Sequence, residues 1–238
     1  MLLQTQNDKT ACPDITATGT AASAPLLSPL IIDFFHDAVC GWCYVMSPRL
    51  RQVAAELGIP VRHHTFVLQD SREQMVQAFG SMERAKHEIL GHWAACAQQD
   101  DSQSINIDGM RAQSFEYPNG MLSALACQAA HLLAGDKGHW DYFDAVQGAH
   151  LKDSRNIGDL DTLLALAVAQ GFDGAAFLSA MDSELAHQRV QADRSEAARL
   201  GIRSIPTLLV SSPETGQVLA RLQTQSVDLL KSRLQALL

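Results

Sequence analysis

One stretch of the sequence decides the fold, and it comprises residues 30–44, LIIDFFHDAVCGWCY. Its first part, Leu30–Phe35, is a short apolar run interrupted by Asp33, and this pattern predicts a buried strand. Its second part opens an apolar stripe with helical spacing, which predicts a helix. The stripe consists of Cys43, Met46, Leu50, Val53, Ala54 and Leu57. Cys40 and Cys43 therefore stand where a strand turns into a helix.

Two cysteines separated by two residues can close a small disulfide ring at this junction. Cys40 would lie at the helix N-terminus, where unpaired N–H groups and the positive end of the helix dipole stabilise a thiolate. Cys43 would lie one turn deeper, on the apolar face. The spacing predicts Cys40 as the nucleophile and Cys43 as the resolving thiol. Two alternatives stay open: half of a zinc site, and core cysteines without chemistry.

The remaining chain places strand-like segments on either side of a long helical block. The predicted strands are Val61–Leu68, Ile205–Val210 and Val218–Leu222, and the closing helix is Ser226–Leu238. The candidate helices of the block are Glu83–Gln98, Met121–Ala134, His139–Leu151, Leu160–Gln170 and Ala175–Leu200, with an irregular stretch at Ser104–Tyr117. This order predicts an α/β fold in which one central sheet carries a large, all-helical insertion over residues 71–200.

Composition excludes several classes of protein. The 238 residues are 47% hydrophobic and 18% charged, which is typical of a globular protein. Eighteen Lys and Arg against 26 Asp and Glu give a net charge of −8, so we expect no nucleic-acid partner. No apolar run is long enough for a membrane span, so we expect no membrane partner.

The N-terminal segment and the cysteine count bear on the compartment. Residues 1–28 are rich in Thr, Ala and Ser and lack the continuous apolar core of a secretory signal, which predicts a flexible tail. The five cysteines show no framework spacing. We therefore expect a cytoplasmic protein, in which a close Cys pair is catalytic or metal-binding more often than structural.

The Cys pair and its surroundings resemble the active-site segment of the cytosolic, FrnE-like group of DsbA-family oxidoreductases. Asp37, Trp42 and Tyr44 match that group, while Gly41 departs from its usual proline and matches thioredoxins. Residues 201–209, GIRSIPTLL, resemble the cis-proline strand of thioredoxins. The resemblance implies a DsbA-like thioredoxin fold, with a thioredoxin-like domain over residues 29–70 and 201–238.

The resemblance also implies a second part of the site. Pro206 would be cis and would lie against the Cys pair. The backbone of Ile205 would then be free to pair with an extended substrate. A trans proline on an edge strand is the alternative. Trp42 would flank the site as an apolar contact.

The other candidate residues have two interpretations each. Asp33 is a candidate proton-transfer carboxylate near Cys43, or a structural Asp. His36 could tune Cys40 electrostatically, or lie on the surface. Asp37 could shape the approach to Cys40, or cap its loop. The histidines of the helical block are interpreted as ordinary, and Cys96 and Cys127 as buried free thiols rather than a second redox pair. No cofactor and no metal ion is expected.

The function predicted first is thiol–disulfide exchange on a thiol- or disulfide-containing protein, or on glutathione. The second is a glutathione-dependent transferase or isomerase of the kappa or 2-hydroxychromene-2-carboxylate isomerase type, which resembles the same fold. Those enzymes usually carry Ser at the position of Cys40, so the Cys pair argues against them. The third is a binding or holdase module without enzymatic activity.

Overall fold

The computed structural model describes residues 28–238, and the predicted N-terminal tail lies outside that range except for Ser28. In chain order the elements are β1 (Ile31–His36), α1 (Gly41–Leu57), β2 (Val61–Thr65), α2 (Arg72–Phe79), α3 (Met82–Ala97), α4 (Ile107–Ala112), α5 (Met121–Gln147), a π-helical turn (Gly148–Lys152), α6 (Leu160–Ala169), α7 (Gly174–Met181), α8 (Glu184–Arg199), β3 (Thr207–Ser211), β4 (Val218–Leu222) and α9 (Val227–Gln235).

The four strands form one mixed sheet in the order β2-β1-β3-β4. β1 runs parallel to β2 and antiparallel to β3, and β3 runs antiparallel to β4. Phe34 at the centre of β1 is paired with His63 on one side and with Leu208 on the other. The helices α2–α8 are inserted between β2 and β3, which confirms the predicted α/β fold with a helical insertion.

Side-chain alternation along β1 assigns its residues to two faces of the sheet. Ile32 and Phe34 lie in the main core, together with Met46 and Leu50 of α1. Phe35 lies in a second, smaller core with Ala197, Ile202 and Leu209, next to α8. The Cys pair on α1 therefore belongs to the Phe34 face.

Several helices start at the polar residues that the sequence offers as caps. The side chains of Ser71, Ser81, Asn106, Asp159, Asp173, Ser183 and Ser226 each accept a hydrogen bond from the backbone N–H three residues later. Each bond satisfies one N–H that lacks a partner within its helix.

Two predictions for the helical block were wrong. Ala175–Leu200 is two helices, because Ser183 caps a new one after Met181. The stretch predicted to be irregular contains α4, which Asn106 caps. The predicted separation of Met121–Ala134 from His139–Leu151 is confirmed, because the backbone of α5 breaks at Ala134 and Gly135. Among residues 28–238, no helix has the length and apolarity needed to cross a bilayer.

Candidate active site

Cys40 is the N-cap residue of α1. Its Sγ accepts a hydrogen bond of 3.3 Å from the backbone N–H of Cys43, so the sulfur lies at the positive end of the helix. The backbone N–H of Cys40 donates to the carbonyl of Asp37 at 3.1 Å, which closes the loop between β1 and α1. Cys40 retains 8% of its exposure, whereas Cys43 has none. A reagent can therefore reach Cys40 first.

Three side chains of the helical insertion support the loop between β1 and α1 through hydrogen bonds. Gln147 donates to the carbonyl of Cys40 at 3.1 Å. The Tyr117 hydroxyl donates to the carbonyl of Val39 at 3.1 Å, and His150 Nε2 lies 3.0 Å from that hydroxyl. Sequence analysis missed Gln147 and Tyr117 and treated His150 as ordinary. No local motif marks these residues, because they reach the loop only through tertiary packing.

Cys43 and Asp37 form the buried part of the site. Burial raises the pKa of the Cys43 thiol, and the adjacent Cys40 sulfur and the charge of Asp37 raise it further. Burial also raises the pKa of Asp37, although its carboxylate accepts backbone N–H bonds from Leu68 at 2.7 Å and from Val39 at 3.2 Å. Asp37 thus caps the loop, one of its two predicted roles, and its charge acts on Cys43.

The structure separates Asp33 from the Cys pair. Asp33 lies on the opposite face of the sheet and accepts hydrogen bonds from Arg62 at 2.7 Å and from His64 at 2.9 Å. Its carboxylate is structural, and the proton-transfer interpretation was wrong. Side-chain alternation along β1 places Asp33 and Phe34 on opposite faces of the sheet. Only the packing of α1 shows that Cys43 lies on the Phe34 face.

His36 does not lie on the surface either, because only 1% of it is exposed. Its Nε2 lies 3.2 Å from Nδ1 of His63, and its ring contacts that of Phe143 at a centroid distance of 3.9 Å. Burial lowers the pKa of His36 to about 3, with a smaller contribution from the charge of His64. A neutral imidazole places no positive charge beside Cys40, so the predicted electrostatic tuning is not supported.

A third thiol lies next to the Cys pair. A Cβ atom on Gly41 would approach Cys96 Sγ to 2.9 Å, which explains why glycine stands between Cys40 and Trp42. Burial raises the pKa of Cys96 to about 12, and the charge of Cys40 adds to that effect. Burial likewise raises the pKa of Cys127. Both are buried free thiols, and neither is activated for exchange.

The Ile205–Pro206 peptide bond is cis and lies against Cys40. The Cys40 Sγ lies 3.9 Å from the carbonyl oxygen of Ile205. A cleft of about 500 Å³ opens beside this contact. Its lining includes Trp42, Ser204, Ile205, Pro206, Gln223 and Gln225. The cleft thus gives an extended ligand access to the Cys40 edge.

Tyr44 lies one residue beyond the Cys pair and is turned away from it. Its hydroxyl is hydrogen-bonded at 2.6 Å to Ser104, which Asp100 holds in turn. The residue fastens α1 to the loop after α3. We assign it no part in the chemistry.

Comparisons with known proteins agree with this architecture. ClpXP adapter protein SpxH of Bacillus subtilis is 26% identical over 181 residues, covering 76% of this chain and 58% of that protein. The chain therefore spans less than two thirds of the length of this curated relative. Cytosolic disulfide reductase DsbM of Pseudomonas aeruginosa superposes with a TM-score of 0.70 at 24% identity, covering 87% of this chain and 98% of DsbM.

A 2-hydroxychromene-2-carboxylate isomerase superposes with a TM-score of 0.61 at 18% identity, over 87% of this chain and 95% of the isomerase. At these identities the superpositions show a shared fold. The model of the DSBA-like thioredoxin domain matches residues 31–235. This match spans the sheet, the Cys pair and the whole insertion, and the chain belongs to the DSBA-like thioredoxin domain family.

Proposed function

We propose that this protein is a thiol–disulfide oxidoreductase in which Cys40 is the nucleophile and Cys43 the resolving thiol. The observation that carries the proposal is the unequal placement of the two sulfurs. Cys40 Sγ lies at the N-terminus of α1, within 3.9 Å of the Ile205 carbonyl and beside the cleft. Cys43 is fully buried, and its backbone N–H donates a hydrogen bond to the Cys40 Sγ.

The placement supports a two-step exchange. The Cys40 thiolate attacks one sulfur of a disulfide, so that a mixed disulfide forms and the other substrate sulfur leaves as a thiolate and takes a proton. Deprotonated Cys43 then attacks Cys40 Sγ, which forms the Cys40–Cys43 disulfide and releases the second substrate thiol. The substrate gains two electrons and the protein loses two. External thiols such as glutathione return the protein to its dithiol form.

Asp37 is our candidate for the proton acceptor in the second step. It is buried, and its charge acts on the Cys43 thiol. Burial raises its pKa, which brings a carboxylate closer to the basicity that proton transfer near neutral pH requires. A carboxylate that accepts the Cys43 proton lowers the cost of forming a thiolate in an apolar site.

The cleft supports both a peptide and glutathione as substrate. The backbone of Ile205 can pair with an extended chain. The lining presents amides and hydroxyls, and its charged residue, Arg49, is already paired with Asp101. The similar protein DsbM has also been solved with GSH.

We place the exchange in the cytoplasm and assign its parts to two regions. Residues 29–70 and 201–238 would carry the redox chemistry, and residues 71–200 would set substrate choice. Similarity to a cytosolic reductase supports a reducing compartment. There the return of Cys40 and Cys43 to the dithiol form is favoured.

A glutathione-dependent isomerase is the second candidate, favoured by the superposition on 2-hydroxychromene-2-carboxylate isomerase. Such an enzyme needs one thiol-binding position and no resolving cysteine. Replacement of Cys43 would leave the turnover of an isomerase unchanged. The same replacement would stop disulfide exchange after the first step.

The test is to trap the mixed disulfide. Cys43→Ala removes the resolving thiol and leaves Cys40 on the helix, so covalent complexes should accumulate on non-reducing gels and dissolve with dithiothreitol. Cys40→Ala should trap nothing, and Cys127→Ser should behave as wild type. Mass spectrometry of the trapped species identifies proteins or glutathione. A Cys43→Ala protein that traps nothing but isomerises a glutathione-dependent substrate at the wild-type rate would favour the second candidate.

A further inference from the structure

Three buried histidines come together on the Phe34 face of the sheet, between the sheet and α5. His36 comes from the end of β1, His63 from β2 and His139 from α5 after its break. One ring nitrogen of each lies within 4.8 Å of the others. Their exposures are 1%, 3% and 0%. The sequence separates His139 from the other two by more than half of the helical block, so sequence analysis could not group them.

These rings satisfy one another only in part. His36 Nε2 and His63 Nδ1 lie 3.2 Å apart, but His36 Nδ1 and His63 Nε2 have no hydrogen-bond partner. Both ring nitrogens of His139 are also buried without a partner. A neutral imidazole has one N–H donor and one lone pair, and burying both unmet is costly. The presence of histidine at these buried positions, with ring nitrogens that have no hydrogen-bond partner, therefore needs an explanation.

Apolar packing alone does not supply that explanation. Phe34, Phe143 and Trp140 surround His36 and His63 at centroid distances of 3.9–5.7 Å. A phenylalanine at position 139 would keep the ring contacts of His139 with His36 and His63, at 5.2 and 5.0 Å, without an unmet nitrogen. The distinctive property of the group is three imidazole nitrogens within 4.8 Å of one another, which is a donor set that transition metal ions prefer.

We propose that His36, His63 and His139 bind a divalent transition metal ion, with Zn²⁺ the favoured occupant. Zn²⁺ takes imidazole nitrogens at about 2.0–2.1 Å, so two ligand nitrogens of a tetrahedral site lie about 3.4 Å apart. The 3.2 Å between His36 and His63 matches that edge. His139 completes the set after a small movement, because its nitrogen already lies within 4.8 Å.

A cavity of about 10 Å³, with room for about one water molecule, adjoins His36 but is lined by neither His63 nor His139. Zn²⁺ has no redox chemistry of its own, so it is compatible with a thiol enzyme. Bound to the three histidines, the ion would tie β1 and the edge strand β2 to α5. It would be a structural site, and its ligand His36 lines the small cavity together with Asp37.

The test uses Co²⁺ as a spectroscopic probe and the full chain with Cys40→Ser and Cys43→Ser, which removes the reactive dithiol as a competing ligand. One equivalent of Co²⁺ should give visible d–d absorption without a near-ultraviolet thiolate band, and Zn²⁺ should displace it. X-ray absorption of this protein should count three imidazole nitrogens. No uptake, or a thiolate band, overturns the proposal.

His139→Phe in the same background should weaken cobalt binding by more than the roughly 10- to 100-fold that a change behind a metal ligand costs. His150→Phe is the matched control, because His150 is equally buried but bonded to Tyr117 and Arg155. It should bind cobalt as the parent does. Unchanged binding by a folded His139→Phe protein contradicts the site. Since X-ray absorption is measured on intact histidines, the proposal stays testable should the variant fail to fold.

Discussion

At the scale of single residues, Gly41 is fixed by its neighbour Cys96. A methyl group at position 41 would meet Cys96 Sγ at 2.9 Å, a contact shorter than sulfur and carbon tolerate. Cys96 of α3 therefore restricts position 41, the first of the two residues between Cys40 and Cys43, to glycine. The helix N-terminus itself would accept any small residue.

Gly41→Ala should consequently lower the free energy of unfolding by about 1–3 kcal/mol, the usual cost of overpacking a core. Urea denaturation measures the change. Gly91→Ala is the control, because a Cβ there has open space and alanine favours a helix interior by about 1 kcal/mol. Adding Cys96→Ala to Gly41→Ala should recover part of the loss. Equal stability of the two glycine variants would mean that Cys96 does not restrict position 41.

Asp37 illustrates how one carboxylate can serve the loop and the chemistry. Asp37→Asn keeps one of the two oxygens that accept from the backbone of Val39 and Leu68, and it removes the base that we assign to Cys43. General bases contribute about 10²- to 10⁴-fold, so attack of Cys43 on the mixed disulfide should slow by at least about 100-fold at pH 7. Rapid-quench measurement of mixed-disulfide decay checks this.

The pH dependence separates a base from a merely structural residue. The deficit of Asp37→Asn should shrink as the pH rises, because hydroxide then deprotonates Cys43 without help from the protein. Asp33→Asn is the matched control, since it alters a carboxylate on the opposite face of the sheet. A deficit of the same size at every pH would assign Asp37 a structural role only.

At the scale of elements, β2 is attached to α8 by His64, a partly buried histidine that two carboxylates hold. His64 is hydrogen-bonded to Asp193 of α8 at 2.8 Å and to Asp33 of β1 at 2.9 Å, and it stacks on Phe35. Burial alone would lower the pKa of His64, but the two carboxylates outweigh it and raise the pKa to about 9. The ion pairs thus connect three elements on the smaller core.

This raised pKa makes stability depend on pH in a defined direction. The folded protein holds the His64 proton more tightly than the unfolded chain, whose histidine pKa is about 6.5. The stabilisation is therefore complete below about pH 6.5 and is lost as the pH rises through about 9. The shift corresponds to on the order of 3 kcal/mol.

His64→Gln should remove most of this pH dependence between pH 6.5 and 9, as measured by urea denaturation at a series of pH values. His187→Gln, on the exposed side of α8, is the control and should follow the wild type. Parallel curves for wild type and His64→Gln would show that the ion pairs do not couple protonation to folding.

At the scale of the whole molecule, the break in α5 lets the helical insertion contact the sheet and the active-site loop together. Gly135 has φ 65° and ψ −161°, a conformation open essentially to glycine alone. The second half of the helix then carries His139 to the buried histidines and Gln147 to the Cys40 carbonyl. One backbone position therefore aligns two distant contacts.

Gly135→Ala should lower the free energy of unfolding by about 1–3 kcal/mol, because alanine is strained there. Gly148→Ala is the matched control, since Gly148 is helical and a Cβ there has open space. It should leave stability unchanged or raise it. If the break is needed for the loop contact, Gly135→Ala should also slow alkylation of Cys40 by disturbing its position. Equal behaviour of the two variants would contradict this role of Gly135.

The place of Pro206 against Cys40 was implied by the family resemblance. The sequence by itself determined the strand–cysteine–helix junction and the α/β order of elements. These features are encoded in residues close together in the chain: an alternating or helical apolar period, a capping residue, and a Cys pair one turn apart. Local backbone preferences and burial of one face are sufficient to produce them, so they can be inferred without a structure.

Only the tertiary structure decided which carboxylate faces Cys43, what supports the Cys40 loop and which histidines meet. Asp33 was the carboxylate predicted to lie near Cys43, and only the packing of α1 on the other face of β1 shows that Asp37 acts on that thiol instead. Gln147, Tyr117 and His139 act across separations of about 75 to more than 100 residues. Such contacts depend on how the insertion folds back over the sheet, and no period in the sequence records that path, because a side chain's partners are set by packing between elements rather than by its neighbours in the chain.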